Sequence, residues 1–320
     1  MAEGEFEFIA RRLRPLAAGY EAALNLLDDA AVLDPPADQQ LVLTKDAMVE
    51  GVHFLADDPP AQVAQKLLRV NLSDLAAMGA DTLCYLLAIA RPSTLDDDWL
   101  PRFCEGLAED QAEFEVHLLG GDTVSTPGPL TLSLTALGTV PEGQALRRAG
   151  AKADDDLYVS GTLGDAALGL QVLRGKLEPA AAAAVYLSDR YRRPQPRLAL
   201  GAALRAVAHA AIDVSDGLLA DLGHIAEASG VGAVVWAEVL PLSPAAQDLA
   251  GARDAALAGG DDYELLFTAP PARRSAIERI GKKLALALSR IGRIDAEPGL
   301  RIIDAAGRPL STRRTGWRHF

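Results

Sequence analysis

Cysteine is almost missing from this 320-residue chain, which carries two, Cys84 and Cys104. Both lie in apolar or helical-looking stretches, with no CxxC pair and no neighbouring ligand cluster. That argues against a disulfide framework and a zinc site, and for reduced structural thiols in a cytosolic protein. Basic charge is also in deficit: 31 Lys and Arg face 44 Asp and Glu, for a net charge of −13. A general nucleic-acid or anionic-membrane binder needs a basic face, so both classes are disfavoured. Anionic substrates stay open, because a metal ion held by carboxylates inverts the local field. Long apolar runs are missing as well. The longest clean one, Leu83 to Ala90, is far short of a membrane span, and the acidic start Met1-Ala2-Glu3-Gly4-Glu5-Phe6 lacks the pattern of a signal peptide. With 49% hydrophobic and 23% charged residues, the composition is that of a soluble globular protein, expected in the cytoplasm.

Familiar nucleotide signatures are absent too. Gly175-Lys176 and Gly281-Lys282 do not fit the G-x-x-x-x-G-K-[ST] loop, and the H-R-D and D-F-G signatures of protein kinases do not occur. If this protein handles ATP, it does so through metals held by aspartate.

What is present reads as alternating strands and helices. Apolar spacing from Phe6 to Leu16 predicts an opening amphipathic helix. Leu41 to Leu43 reads as a short strand leading into Thr44-Lys45-Asp46. Pro60 to Met78 is helical with Gly79 as its stop. A buried strand over Leu83 to Ala90, a helix over Asp97 to Glu113 and a strand over Val116 to Leu119 follow. That last strand runs into Gly120-Gly121-Asp122-Thr123, and Leu130 to Val140 forms a longer strand. Gly143 to Asp156 has little apolar periodicity and is taken as the seam between two domains, 1–145 and 146–320. Beyond it, strands are expected over 157–160, 211–214, 233–236 and 264–268, and helices over 179–191, 197–209 and 218–228. The class is α/β (α+β), in two layers.

Aspartates recur at expected element ends, beside small or hydroxyl residues: Asp28-Asp29, Asp46, Asp74, Asp122, Asp213 with Asp216, and Asp261-Asp262. Taken singly, each reads as a helix cap or turn residue before it reads as a ligand. Two resist that reading. Asp74 sits inside the apolar helical stretch Leu72 to Met78, where an ionised carboxylate is costly unless a cation or donors offset it. Asp122 follows two glycines that let backbone approach a ligand closely. Dispersed aspartates without a Cys/His cluster suit Mg²⁺ better than zinc.

The runs Gly4-Glu5-Phe6, Asp28-Asp29-Ala30-Ala31-Val32, Val49-Glu50-Gly51-Val52-His53-Phe54, Asn71-Leu72-Ser73-Asp74-Leu75-Ala76-Ala77-Met78-Gly79-Ala80 and Gly120-Gly121-Asp122-Thr123 occur in order. They are followed by Ile212-Asp213-Val214-Ser215-Asp216-Gly217-Leu218, Gly259-Gly260-Asp261-Asp262-Tyr263-Glu264-Leu265 and Gly316-Trp317-Arg318-His319-Phe320. Together they resemble the thiamine-monophosphate kinase family, within the aminoimidazole ribonucleotide synthetase-like superfamily. The resemblance implies that fold, with two domains, a homodimer that pairs its N-terminal sheets, and ATP bound between the N- and C-terminal halves. It also implies Mg²⁺-dependent transfer of phosphate from ATP to thiamine monophosphate, giving thiamine diphosphate. Asp29, Thr44, Lys45, Asp46, Asp74, Asp122, Asp213 and Asp216 take the metal positions. Gly121, Asp122, Arg148 and Ser215 take the ATP positions, and His53, Asp261 and Trp317 the substrate positions. Asp74, Asp122 and Arg148 carry the catalytic expectation.

Three positions depart from the family pattern. Leu27 stands where a glycine is usual, Lys45 where a threonine is, and Asp261 where a glutamate is. Structural readings stay open for His53 as a half-buried core histidine, Arg148 as a seam residue and Trp317 as a C-terminal anchor. Another ATP-dependent enzyme of the superfamily is the nearest rival, although the chain lacks the N-terminal or C-terminal cysteine such relatives often carry. A catalytically silent, metal-stabilised binder of thiamine phosphates is the rival from another class.

Overall fold

The computed structural model describes residues 5–34, 36–310 and 316. They divide into two units: Met1–Leu75 with Ala80–Gly143, and Ala76–Gly79 with Gln144–Phe320. The opening segment is not one helix. A single turn, α1 (Glu5–Phe8), widens into a π turn over Ile9–Leu13 and tightens into a 3-10 turn over Arg14–Ala17. Pro15 has no N–H to donate, so an α-helical ladder cannot run through it.

The first unit is built on β1 (Gln39–Val49), β2 (Asp81–Pro92), β3 (His117–Thr126) and β4 (Thr131–Pro141), in the order β1-β4-β2-β3. β4 runs antiparallel to both β1 and β2, while β2 and β3 are parallel. The helix α2 (Pro60–Ala77) joins β1 to β2, and α3 (Trp99–Phe114) supplies the crossover that a parallel pair needs. Along β1, Val42, Thr44, Asp46 and Met48 are buried or half-buried, whereas Leu41, Leu43, Lys45 and Ala47 on the other face are exposed.

Two stretches expected to follow strands lie inside them instead. The β1–β4 ladder continues through Thr44↔Ala136 and Asp46↔Leu134, and β3 stays paired to β2 through Asp122↔Ala88. Cross-strand pairing outweighs the weak strand preference of Asp and Gly.

α2 and α3 are locked by a close approach and by charge. A Cβ on Gly106 would collide with the Ala61 carbonyl, so only glycine lets the helices meet there. Arg69 of α2 donates to both oxygens of Asp110, at 2.7 and 2.8 Å, and to Glu113 at 2.7 Å. Asp110 is fully buried and Arg69 nearly so.

The second unit carries a six-stranded sheet. In chain order it contains β5 (Asp156–Ser160), α4 (Asp165–Leu173), α5 (Ala181–Arg192), α6 (Leu198–Leu204), β6 (Ala210–Asp213), α7 (Leu218–Ser229) and β7 (Gly232–Trp236). It continues with α8 (Ala252–Ala258), β8 (Leu265–Ala269), α9 (Arg274–Leu284), β9 (Leu288–Asp295) and β10 (Gly299–Ile303). The strand order is β10-β7-β9-β5-β8-β6. Every residue of β5, β8 and the edge strand β6 is buried, so both faces of this part of the sheet are covered. Leu157, Val159, Ile212 and Leu266 pack with Leu218, Leu222 and Ile225 of α7 on one side. Tyr158, Ala211, Leu265 and Phe267 pack with Leu200 and Leu204 of α6 and Ile277 of α9 on the other.

Removing Arg69 strands a buried carboxylate. Arg69→Ala is expected to destabilise the protein by about 3–5 kcal/mol, seen as a lower urea midpoint; an unchanged midpoint would show that Asp110 does not depend on this partner.

Candidate active site

In the first unit, the β1 ladder presents Thr44 and Asp46 toward α2. The Thr44 hydroxyl donates to Asp74 Oδ2 at 2.5 Å. The Asp46 backbone N–H donates to Asn71 Oδ1 at 3.2 Å, and Asn71 is itself held by its Nδ2–H to the Leu67 carbonyl at 2.9 Å. Burial, and then the charge of Asp74, push the Asp46 carboxyl up from its ordinary 3.8 to about 6. Two acids and a hydroxyl are thus brought together by the fold. Their oxygens form a donor set that suits a hard divalent cation, and a cation there would relieve the repulsion.

The other expected positions of this unit are not all gathered there. Lys45 is exposed on the opposite sheet face, in register with Thr135. Gly121 lies so close to β2 that a Cβ would collide with the Leu87 carbonyl. Asp122 comes next, exposed and paired with Ala88, which by strand alternation puts it on the face of Lys45. Asp29 is exposed in the bend after Leu27, and no hydrogen bond or ion pair joins it to Asp46 or Asp74 among the described residues. Just before it, Leu24, Asn25 and Leu26 all hold positive φ, at 49, 56 and 53°, whereas Leu27, which stands where the family pattern has a glycine, has a φ of −111° that any residue adopts.

His53 follows β1. Its Nδ1 accepts the Val49 backbone N–H at 3.0 Å, so in the neutral ring the proton sits on Nε2. Lys66 Nζ donates to the His53 carbonyl at 3.1 Å and fastens this turn to α2.

In the second unit, Arg148 is exposed on a loop tied down by Ser229. The Ser229 hydroxyl accepts from Gly150 and Ala151, each at 3.1 Å, and donates to the Arg148 carbonyl at 3.3 Å. Asp213 is buried at the end of β6. The turn after it is organised by Asp221, in the first turn of α7. Asp221 Oδ2 accepts the backbone N–H groups of Ser215, Asp216 and Gly217 at 3.1, 3.1 and 3.0 Å. Burial and the charge of Asp216 raise the Asp221 carboxyl to about 7, against the pull of those N–H groups. Ligand atoms of Asp216, Asp221 and His224 lie within 4.8 Å of one another. Sequence reading missed Asp221 and His224, although an acid in the first turn after Ser-Asp-Gly is a capping signal.

Asp261 sits beside that turn. Its N–H donates to the Ser215 carbonyl and the Tyr263 N–H to the Val214 carbonyl, both at 2.8 Å. A Cβ on Gly260 would strike the Ser215 carbonyl, so glycine permits the contact. The fold therefore unites the Asp213–Asp216 and Asp261 stretches, 45 or more positions apart in the chain. Trp317 lies outside the described residues, as do Gly4, Arg318, His319 and Phe320.

Residues 27–140 match the domain described as AIR synthase related protein, N-terminal domain, and residues 152–305 match its C-terminal counterpart. Two sheet units with aspartates on their strands and turns thus define a protein of the AIR synthase related class. The thiamine-monophosphate kinase of Caulobacter vibrioides is 47% identical over 322 residues, covering 98% of this chain and 90% of that protein. The crystal structure of thiamine-monophosphate kinase from Stenotrophomonas maltophilia K279a is 46% identical, with a TM-score of 0.86 over 97% of this chain and 99% of that one. A structure described as AaThiL complexed with AMPPCP and TMP is 30% identical, with a TM-score of 0.79 over 99% and 97% of the two chains. The chain belongs to the thiamine-monophosphate kinase family.

Gly260→Ala is expected to push the Asp261 segment off the Ser215 turn. A stability loss of about 1–3 kcal/mol by chemical denaturation is the predicted cost of the overpacking; a variant as stable as the parent would mean the contact is looser than the backbone shows.

Proposed function

We propose that this chain phosphorylates thiamine monophosphate to thiamine diphosphate with ATP, by direct in-line transfer assisted by Mg²⁺. The observation that carries the reading is the Thr44–Asp46–Asp74 cluster, two crowded carboxylates and a hydroxyl on a family-matched scaffold. The relative bound to AMPPCP and TMP supports the choice of both substrates.

A phosphate monoester has a second pKa of about 6 and is mostly dianionic at neutral pH, so the acceptor needs no general base. One of its oxygens attacks the γ-phosphorus of ATP in line, a phosphoanhydride bond forms, and the bond to the ADP oxygen breaks. The obstacle is the approach of two anions, which leaves positioning and charge compensation as the chain's task. Asp46, Asp74 and Thr44 would hold Mg²⁺, with Asp29, Asp122, Asp213, Asp216 and the backbone at Lys45 as the remaining positions. Bound Mg²⁺ would offset charge on both phosphates. Gly121, Asp122 and Ser215 are assigned to ATP, and Arg148 adds a fixed cation. His53 offers its Nε2 proton to the substrate phosphate. Asp261 and Trp317 are assigned to the cationic thiazolium.

A homodimer belongs to the same reading. Leu41, Leu43, Leu86 and Val124 are 40, 62, 38 and 50% exposed on the first unit's sheet. These apolar side chains, on the face that also carries Lys45 and Asp122, call for a cover, and a second copy of the sheet supplies one. Residence in the cytoplasm is in keeping with two buried free thiols and with a described chain in which no helix can cross a membrane.

Phosphorus-31 NMR of protein, ATP, Mg²⁺ and thiamine monophosphate tests the activity. Thiamine diphosphate and ADP should appear with Mg²⁺ and fail to appear with EDTA; intact ATP in the complete mixture would refute the reading. Asp74→Asn is expected to lower kcat by about two orders of magnitude with the fold retained, and near-parental turnover would remove Asp74 from the site. Leu43→Glu should convert the dimer to monomer in light scattering, whereas an unshifted mass would discard this face as the interface.

A further inference from the structure

Two of the four non-glycine residues with positive φ in the described second unit fall at the proposed substrate position; the other two are Asp154 and Ala285. Asp261 and Tyr263 hold φ of +69 and +52°, and neither is glycine. Side chains keep that conformation only where their surroundings over-determine it, which happens chiefly where a segment presents groups to a ligand.

The restraint comes from the alternate residues. Asp262, 1% exposed, accepts the Gly164 N–H at 2.6 Å and the Ala166 N–H at 3.2 Å. Glu264, 0% exposed, takes the Arg197 fork at 2.7 and 2.5 Å, Arg190 at 3.0 Å and the Ser160 hydroxyl at 2.6 Å. Arg190 also donates to the Asp262 carbonyl at 3.4 Å. A Cβ on Gly161 would run into the Glu264 carboxylate, so the chain opposite is cleared for the clamp. Asp262 and Glu264 are driven inward, and Asp261 and Tyr263 are left half-buried with the Tyr263 hydroxyl 3.3 Å from Asp261 Oδ1. A simple turn needs no such anchoring.

We infer that Asp261 and Tyr263 form one recognition element for a cationic aromatic ring, and that Glu264, clamped by Arg190 and Arg197, is the positioning residue that sets it. The inference rests on the kinase reading above, which supplies the cationic ring. A carboxylate with a phenol beside it offers a counter-charge and an aromatic face together. The hydroxyl's hydrogen bond holds the shorter Asp261 side chain in place. Glu264 touches no substrate and acts through the loop.

The experiment is steady-state kinetics of Tyr263→Phe and Glu264→Gln with thiamine monophosphate and ATP each varied, with thermal melts on both variants. Tyr263→Phe keeps the clamp and is expected to raise KM for thiamine monophosphate about three- to tenfold, with KM for ATP unmoved and kcat changed less than KM. Glu264→Gln should raise the same KM at least as far, without affecting KM for ATP. A Tyr263→Phe enzyme with the parental KM overturns the inference, whether or not Glu264→Gln folds. Equal losses in both KM values for a folded Glu264→Gln would reduce the clamp to a structural role and overturn it as well. If the parent does not phosphorylate thiamine monophosphate, it is the kinase reading that fails, and the same variants judged by calorimetric binding of thiamine monophosphate still decide the recognition element.

Discussion

The 11-residue ladder between β1 and β4 is the constraint on which the first unit depends. It holds Thr44 and Asp46 in extended backbone on the face turned to α2, and it fixes the main chain from which the Asp46 carboxyl feels the charge of Asp74. Burial and the charge of Asp74 act together on the Asp46 carboxyl, and neither strand nor helix can move apart without breaking main-chain hydrogen bonds. Free side chains on a loop would separate. A rigid scaffold that crowds like charges is prepared for a cation and favours it over empty space.

The second unit solves a different problem by the same means. Its presented groups lie on turns, and turns are held by buried acids behind them. Asp221 gathers three N–H groups below the Ser215–Gly217 turn, and Glu264 with Asp262 pins the segment that carries Asp261. Glycine at 161 leaves room for the Glu264 carboxylate, and glycine at 260 for the Ser215 carbonyl. Each presented side chain therefore has an inward-facing neighbour that fixes it, as accurate positioning of bound groups requires.

Much of this was legible in the chain itself. Asp74 in an apolar helix announced a carboxylate that needed compensation. Gly120-Gly121 suggested close approach to a ligand, whereas the approach the fold shows is to the neighbouring strand, where a Cβ on Gly121 would meet the Leu87 carbonyl. The strands β5, β6 and β8 were readable because burial on both faces leaves short apolar runs. Other features gave no local sign. The extension of β1 and β3 through polar and glycine residues depends on partner strands remote in sequence. β9 was not readable because its register shifts against β5 between Leu157 and Tyr158, and its burial does not alternate. α8, α9 and β10 likewise went unseen. Arg190, Arg197 and Glu264 look like ordinary surface charges until the fold buries them together. Asp221 looked like any helix-surface acid, though its first-turn position was a usable clue.

The claim that orders the rest is that Asp46 and Asp74 together form a divalent-cation site. Mn²⁺ binding to nucleotide-free protein, followed by electron paramagnetic resonance for the parent and for Asp46→Asn, tests it most directly. The account predicts bound Mn²⁺ in the parent, displaced by Mg²⁺, and a marked loss of that binding in the variant. Equal binding by both proteins would contradict it.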